Sequence, residues 1–117
     1  MPDVDENDIG IRRARRLIEA GRFVLTSDWD AARPSPEDRD AFLEANSWDE
    51  YSSWHLGVDD DAQYDTKERY RFPIGDFREV HRSALVHALI HAEREGHGAV
   101  KAAAEDLLGR LAQVAGR

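Results

Sequence analysis

The sequence predicts an all-α fold of about five helices, in which a C-terminal antiparallel helical hairpin packs with shorter N-terminal helices. Three observations predict it: apolar residues recur with helical spacing, capping residues precede those segments, and glycine or proline ends them. A chain of 117 residues also has the size of one compact domain with a single core.

The N-terminal part is predicted to be a flexible tail over residues 1–7, which are polar and charged, ahead of a single helical domain over residues 8–117. The first helix is expected to begin near Asp8, whose carboxylate can accept from free backbone N–H groups, and to end at Gly21, which suits a left-handed cap. The segment FVLTSDW that follows is β-branched and aromatic but short, so we interpret it as an extended connector.

Two capping patterns predict short helices in the middle of the chain. The segment SPED combines a serine cap, a proline at the first helical position and an aspartate three residues after the cap, which predicts a helix over residues 35–46. The segment SWDE repeats the pattern and predicts a tryptophan-rich helix over residues 47–57. An acidic loop and a helical turn over residues 66–71, ended by Pro73, are expected next.

The C-terminal hairpin is predicted from two longer segments. Asp76 followed by a glutamate three residues on, with no glycine until the segment ends, predicts a helix over residues 76–96. Val86 and Ile90 lie opposite its main apolar face, so the helix is expected to be covered on two sides, by the domain or by a second copy of the chain. Residues 99–114 carry a one-sided apolar stripe, and the short connection favours an antiparallel arrangement.

Composition restricts the classes of function. The chain has no cysteine, which excludes disulfides, thiolate metal sites and thiol nucleophiles and indicates a cytoplasmic protein. It has no long apolar run, so no membrane association is expected. The net charge of −8 opposes general binding to nucleic acid. A nucleic-acid accessory role is therefore an alternative that is not favoured. It would use the arginine-rich first helix and the residue after its end: Arg12, Arg13, Arg15, Arg16 and Arg22.

Local motifs predict neither a metal, nor a cofactor, nor a catalytic residue. His87, His91 and Glu95 are spaced four residues apart and could share a metal, but no fourth ligand is evident, so solvent-facing or core-edge histidines are the favoured interpretation. The acidic run from Asp59 to Asp61 lacks the glycine and glutamate of a calcium loop. No phosphate-binding glycine loop or nucleophile elbow is present in the sequence.

Aromatic and basic residues concentrate in the middle of the chain, around a proline turn. Arginine forks and helix N-termini attract carboxylates and phosphates. The favoured prediction is therefore a non-catalytic interaction module, expected to self-associate, that binds a protein partner or a small anionic ligand. A small enzyme using His81 or His55 with Asp76 is a second alternative. The predicted binding residues are Trp54, His55, Lys67, Arg69, Tyr70, Asp76, Arg78, His81 and Arg82.

The segments SWDEYSSWHLG, TKERYRFPIGDFREVHRSAL and AAAEDLLGRL resemble a family of small, mainly actinobacterial proteins with no assigned activity. In that family a Trp-His-Leu-Gly segment precedes a Thr-Lys-x-Arg-Tyr stretch and a Gly-Asp-Phe-Arg-x-Val-His-Arg helix start. The likeness covers most of residues 12–114 and implies a stand-alone domain. Arg78, His81 and Arg82 fit its pattern, whereas His87 and His91 do not. A shorter segment from Phe-Pro-Ile onward, about a fifth of the chain, is similar to tails of phage-associated proteins.

Overall fold

Strands as well as helices build the structure, a computed structural model that describes residues 4–117. The all-α prediction is therefore wrong, because the fold is mixed α/β with six helices and two sheets in this part of the chain. The helices are α1 (Asp8–Glu19), α2 (Trp29–Ala32), α3 (Pro36–Ala45), α4 (Trp48–Ser52), α5 (Arg82–Glu95) and α6 (Gly98–Ala115). The strands are β1 (Val4–Glu6), β2 (Phe23–Val24), β3 (His55–Asp59), β4 (Tyr70–Pro73) and β5 (Val80–His81), and Lys67–Arg69 forms a turn of 3-10 helix.

The central strand of the larger sheet is β3, which pairs antiparallel with β1 on one side and with β4 on the other. Its first three residues are fully buried, which is typical of a strand covered on both faces. The smaller sheet joins β2 and β5 in parallel and places Phe23 beside Val80. Helices α1, α5 and α6 pack against the larger sheet and form the main core with it.

Three predicted helices are confirmed, and one of them, α3, has its predicted side-chain cap. Helix α1 begins at Asp8, and Gly21 follows its end with a φ of +76°. Helix α3 has the predicted capping box, because Ser35 and Asp38 exchange two hydrogen bonds of 3.1 Å. Helix α6 covers the predicted stripe and is joined to α5 by Gly96, which adopts a left-handed conformation, and one further residue. The two C-terminal helices pack closely together, as the hairpin prediction required.

The flexible tail predicted for residues 1–7 is corrected over its described part. Val4 to Glu6 form β1, and the Val4 side chain is buried in the core. Asn7 is also buried, and its side-chain amide donates to the backbone carbonyls of Ser52 and His55. Residues 1–3 lie outside the described part of the chain.

The helix predicted over residues 47–57 is half as long as expected. Helix α4 ends at Ser52, and the chain then enters β3 at His55. Gly57 does not stop a helix. A Cβ at this position would lie 2.6 Å from a Val4 methyl and 2.9 Å from the Phe72 ring, so glycine is required where three strands pack side by side.

The helix predicted over residues 76–96 begins six residues late, at Arg82. Asp76 does bind the backbone N–H groups ahead of it, with Glu79 donating at 2.8 Å, but this bond closes a turn instead of a helix. Phe77 has a φ of +70°, which is incompatible with a helix. The β-branched Val80 is fully buried in β5, where it pairs with β2.

The domain itself does not cover this helix on both sides, and cover by a second copy of the chain stays a prediction. Helix α5 buries Ala84, Leu85, Ala88 and Ala92 against the core. On its other side, Ile90 is 46% exposed.

Among the described residues, no helix combines the length and the apolar character needed to cross a membrane.

Substituting Gly10 tests the contact between α1 and β3. A Cβ at Gly10 would lie 1.7 Å from the His55 carbonyl oxygen, so α1 would have to move away from the sheet. We expect Gly10→Ala to lower the free energy of unfolding by about 3 kcal/mol.

The matched control is Gly109→Ala in α6, where no atom lies within 4 Å of the added Cβ. Removing a glycine from a helix interior should raise the free energy of unfolding by about 1 kcal/mol. Urea denaturation measures both values, and equal effects of the two substitutions would contradict the close approach at Gly10.

Candidate functional site

A cavity of about 170 Å³ lies where the segment from α2 to α4 meets β3, β4 and α5. Its wall carries three kinds of polar side chain: two guanidinium groups, two phenols and two imidazoles. Among the described residues, no aspartate or glutamate lines it. The polar side chains are Arg33, Arg39, Tyr51, Tyr70, His55 and His87.

The two arginines of the cavity come from neighbouring helices. Arg33 directly follows α2 in an extended conformation, and Arg39 lies on α3, whose position is fixed by the Ser35 capping box. Arg33 is exposed and Arg39 is half-buried. Neither makes an ion pair with a carboxylate of residues 4–117, so both keep their charge available to a ligand.

The imidazole of His55 forms a neutral part of the wall. Its Nδ1–H donates to the Tyr51 carbonyl at 2.9 Å, because a carbonyl can only accept. This leaves Nε2 with a lone pair. Burial lowers the pKa of His55 to about 4, against the opposing effect of that hydrogen bond. The ring is therefore uncharged at neutral pH and can accept a hydrogen bond.

The phenol of Tyr51 is buried beside this imidazole, with ring centroids 4.7 Å apart. Burial raises the pKa of Tyr51, while the neighbouring Arg39 guanidinium favours the phenolate and opposes the shift. Tyr51 thus stays protonated. The inner wall therefore consists of neutral hydrogen-bonding groups, and the positive charge lies nearer the solvent.

His87 reaches the cavity from α5. Partial burial lowers the pKa of His87, and the nearby positive groups His91 and Arg33 act in the same direction, whereas Asp30 opposes them. Two aromatic side chains, Trp29 and Phe77, supply apolar surface. The cavity therefore combines two cations, neutral donors and acceptors, and aromatic side chains.

The structure brings only two of the predicted binding residues, His55 and Tyr70, into this cavity. Trp54 is buried in the core, with the Arg13 guanidinium 5.7 Å from its ring centroid. Lys67 forms an ion pair with Asp40 at 2.7 Å.

Arg69, another predicted binding residue, is buried and serves the acidic loop. It donates to the backbone carbonyls of Asp59 and Ala62 and pairs with the Asp60 carboxylate. Its guanidinium also lies 4.1 Å from the Tyr64 ring centroid. These contacts occupy its donors, so its role is to hold the loop.

The other four predicted residues lie near the start of α5. Asp76 and His81 bind each other, Arg78 borders a shallow depression next to α3, and Arg82 borders a groove along α5. Sequence reasoning missed Arg33, Arg39 and Tyr51 as site residues. The capping box located α3, but no local signal indicated that this helix would bring Arg39 towards His55.

The histidines considered for a metal are neighbours without a third ligand. The rings of His87 and His91 lie 4.1 Å apart, and Glu95 forms an ion pair with Arg71 at 3.0 Å. Over residues 4–117, no group of three or more potential ligands is arranged to hold a metal ion.

A scan against protein-family models finds no match, and searches of curated proteins and of solved structures also find none. The resemblance to small actinobacterial proteins stays a prediction.

The lowered pKa of His55 should make stability depend on acidity. Since the unfolded chain binds a proton near the usual pKa of 6.5 and the folded chain only near 4, protonation favours unfolding. Stability contributed by the neutral ring is complete above pH 6.5 and is lost as the pH falls towards 4, by up to about 1.4 kcal/mol per pH unit.

Urea denaturation across this range measures the slope, to which His87 adds in the same direction. His55→Asn keeps a side-chain donor near the Tyr51 carbonyl and removes the titrating ring, so its slope should be shallower than that of the wild type. A His55 imidazole that titrates near pH 6.5 by NMR would contradict the assignment.

Proposed function

We propose that the protein binds a small anionic ligand in the cavity between α2, α3, β3 and β4, as a binding module without chemistry at that cavity. One observation carries the proposal: the wall holds Arg33 and Arg39 and, among the described residues, no carboxylate, although the chain has a net charge of −8. An electropositive cavity in an acidic protein favours a negatively charged occupant. Guanidinium groups are well matched to carboxylates, which they can bind with two parallel hydrogen bonds.

The size and lining of the cavity narrow the ligand class. A volume of about 170 Å³ is close to the roughly 150 Å³ of an engineered protein cavity that accepts benzene. The aromatic side chains of Trp29 and Phe77 in the wall suit an apolar body. Neutral hydrogen-bonding groups at Tyr51 and His55 can pair with one polar substituent. A single-ring aromatic carboxylate has all of these properties.

Several expectations from the sequence accompany this proposal as predictions. A cytoplasmic location follows from the absence of cysteine, and self-association and a protein partner stay open to test. The nucleic-acid alternative is less favoured, because Arg13 pairs with Glu50 and Arg15 pairs with Asp106. These ion pairs reduce the positive charge that the first helix offers to phosphates.

Titration with benzoate, followed by NMR or calorimetry, tests the proposal. Benzoate should bind, and the neutral isostere benzamide should bind at least ten times more weakly. Arg39→Gln should weaken benzoate binding about ten- to a hundredfold, because a hydrogen bond to a charged group is worth about 1.5 to 3 kcal/mol.

Arg16→Gln is the matched control, since it removes the same charge from an exposed position on α1 and should leave affinity unchanged. Equal binding of benzoate and benzamide, or equal losses in the two arginine variants, would contradict an anion site in this cavity.

A further inference from the structure

A continuous chain of hydrogen bonds links a carboxylate, an imidazole and two hydroxyls at the start of α5. Asp76 Oδ2 lies 3.1 Å from His81 Nε2, and His81 Nδ1 lies 2.9 Å from Ser27 Oγ. Ser27 Oγ in turn lies 2.7 Å from Ser83 Oγ. The order carboxylate, imidazole, hydroxyl is the arrangement that activates a serine as a nucleophile.

Three separate parts of the chain supply these groups. The parallel pairing of β2 with β5 places Val24 opposite His81, which brings Ser27, three residues after Val24, next to the imidazole. Asp76 reaches the ring from the turn after β4, where its Oδ1 accepts from the backbone N–H groups of Arg78 and Glu79. His81 is buried, and the Trp29 ring packs 5.7 Å from it. Asp76 and His81 are therefore held by contacts outside this chain of hydrogen bonds, whereas Ser27 is held by its bonds to His81 and Ser83.

The protons of this chain of hydrogen bonds can be placed for a neutral His81 ring. Burial alone would raise the pKa of Asp76, but hydrogen bonds from the Glu79 N–H, the His81 ring and the Arg78 N–H outweigh it and lower this pKa. An ionised carboxylate can only accept, so a neutral His81 ring donates its Nε2–H to Asp76 and keeps a lone pair on Nδ1. Ser27 then donates to His81, and Ser83 can donate to Ser27. Nδ1 is therefore placed to take the Ser27 proton.

Ser27 borders an open groove of about 360 Å³ along α5. Further along the same groove, Val86 and the 46%-exposed Ile90 present apolar surface. Asp28 and Asp30 outnumber the one arginine of its lining, Arg82, and this excess of negative charge disfavours an anionic substrate. A neutral ester with an apolar acyl group fits this combination.

We infer that Ser27 is a nucleophile for acyl transfer, with His81 as its general base and Asp76 as a positioning residue, acting on neutral esters of apolar carboxylic acids. Ser27 Oγ attacks the carbonyl carbon while His81 Nδ1 takes the hydroxyl proton. The bond between the carbonyl carbon and the alkoxy oxygen then breaks, and the leaving alcohol receives that proton. Water, activated by the same nitrogen, attacks the acyl-serine, releases the carboxylic acid and restores Ser27.

The start of α5 supplies groups that suit the negative oxygen formed during this attack. The first backbone N–H groups of a helix have no partner within the helix, and α5 begins at Arg82 beside Ser27. Stabilisation of the negative oxygen by these N–H groups would add to the rate produced by Asp76, His81 and Ser27, and it has no effect without them.

Hydrolysis of p-nitrophenyl butyrate by the full chain, with covalent labelling by a sulfonyl fluoride, tests the inference. The expected result is a single label on Ser27, mapped by tandem mass spectrometry, and a fall in kcat/KM of about 100-fold or more in Ser27→Ala. Thr26→Ala removes the neighbouring exposed hydroxyl and should leave the rate within about twofold of the wild type. A label on Ser83, no label, or an unchanged rate in Ser27→Ala would overturn the inference.

Asp76→Asn tests whether Asp76 positions the proton of the His81 ring or only stabilises the fold. The new amide would donate to His81 Nε2 and move the ring proton to Nδ1, which then points at Ser27 and cannot accept its proton. Nitrogen NMR should show His81 protonated on Nε2 in the wild type and on Nδ1 in Asp76→Asn, together with at least about a 100-fold loss of rate.

An unchanged ring proton or a retained rate would overturn the positioning role. The outcome is independent of anion binding, because the ester is neutral and Arg33 and Arg39 take no part. Loss of benzoate binding in Arg39→Gln together with no labelling of Ser27 would support the proposed anion binding and overturn the proposed acyl transfer.

Discussion

The close approach of α1 to β3 is the constraint on which the rest of the structure depends. Gly10 lets the helix backbone lie against the His55 carbonyl, where any larger residue would collide. The Asn7 side-chain amide, just ahead of α1, donates to the same carbonyl at 3.1 Å and to Ser52 at 2.9 Å. This contact packs β3, the central strand of the larger sheet, directly against α1. It also fixes His55 at the start of β3, from which its ring reaches the cavity.

The sequence predicts a helix correctly where neighbouring residues stabilise it. It fails to predict a strand that is stabilised by residues far away in the chain. The capping box of α3 is complete within four residues, so the sequence predicts it directly. The two-residue strands β2 and β5 exist only because Phe23 and Val80 meet across more than fifty residues of chain. No periodicity can arise in a strand of two residues.

The segment after Asp76 shows the ambiguity in a single residue pattern. An aspartate followed by a glutamate three residues on can bind the same backbone N–H groups in a helix start or in an isolated turn. Burial of Val80 and the stacking of Phe77 on Phe42, with centroids 4.3 Å apart, favour the turn here. The prediction identified the correct hydrogen bond and assigned the wrong structure to it.

The residues of the two candidate sites also divide into those that local sequence predicts and those that only tertiary contacts bring together. His55 and Tyr70 belong to a local concentration of aromatic and basic residues, so the sequence predicted both as binding residues and the cavity contains both. Arg39 enters the cavity only because α3 is held there by tertiary contacts such as the stack of Phe42 on Phe77. Pairing of Asp76 with His81 was considered from the sequence as an enzyme alternative, whereas Ser27 is brought to the ring by the β2 and β5 pairing.

The two proposed sites are adjacent, since Trp29 and His87 line both the cavity and the groove beside Ser27. Their electrostatic characters differ: among the described residues, two arginines and no carboxylate line the cavity, whereas Asp28, Asp30 and a single arginine, Arg82, line the groove. Hydrolysis of a neutral ester in the groove would create a carboxylate where negative side chains disfavour it. The same anion would be stabilised by Arg33 and Arg39 on the far side of the shared wall. The charge difference between the sites thus favours transfer of an acidic product from the groove to the cavity.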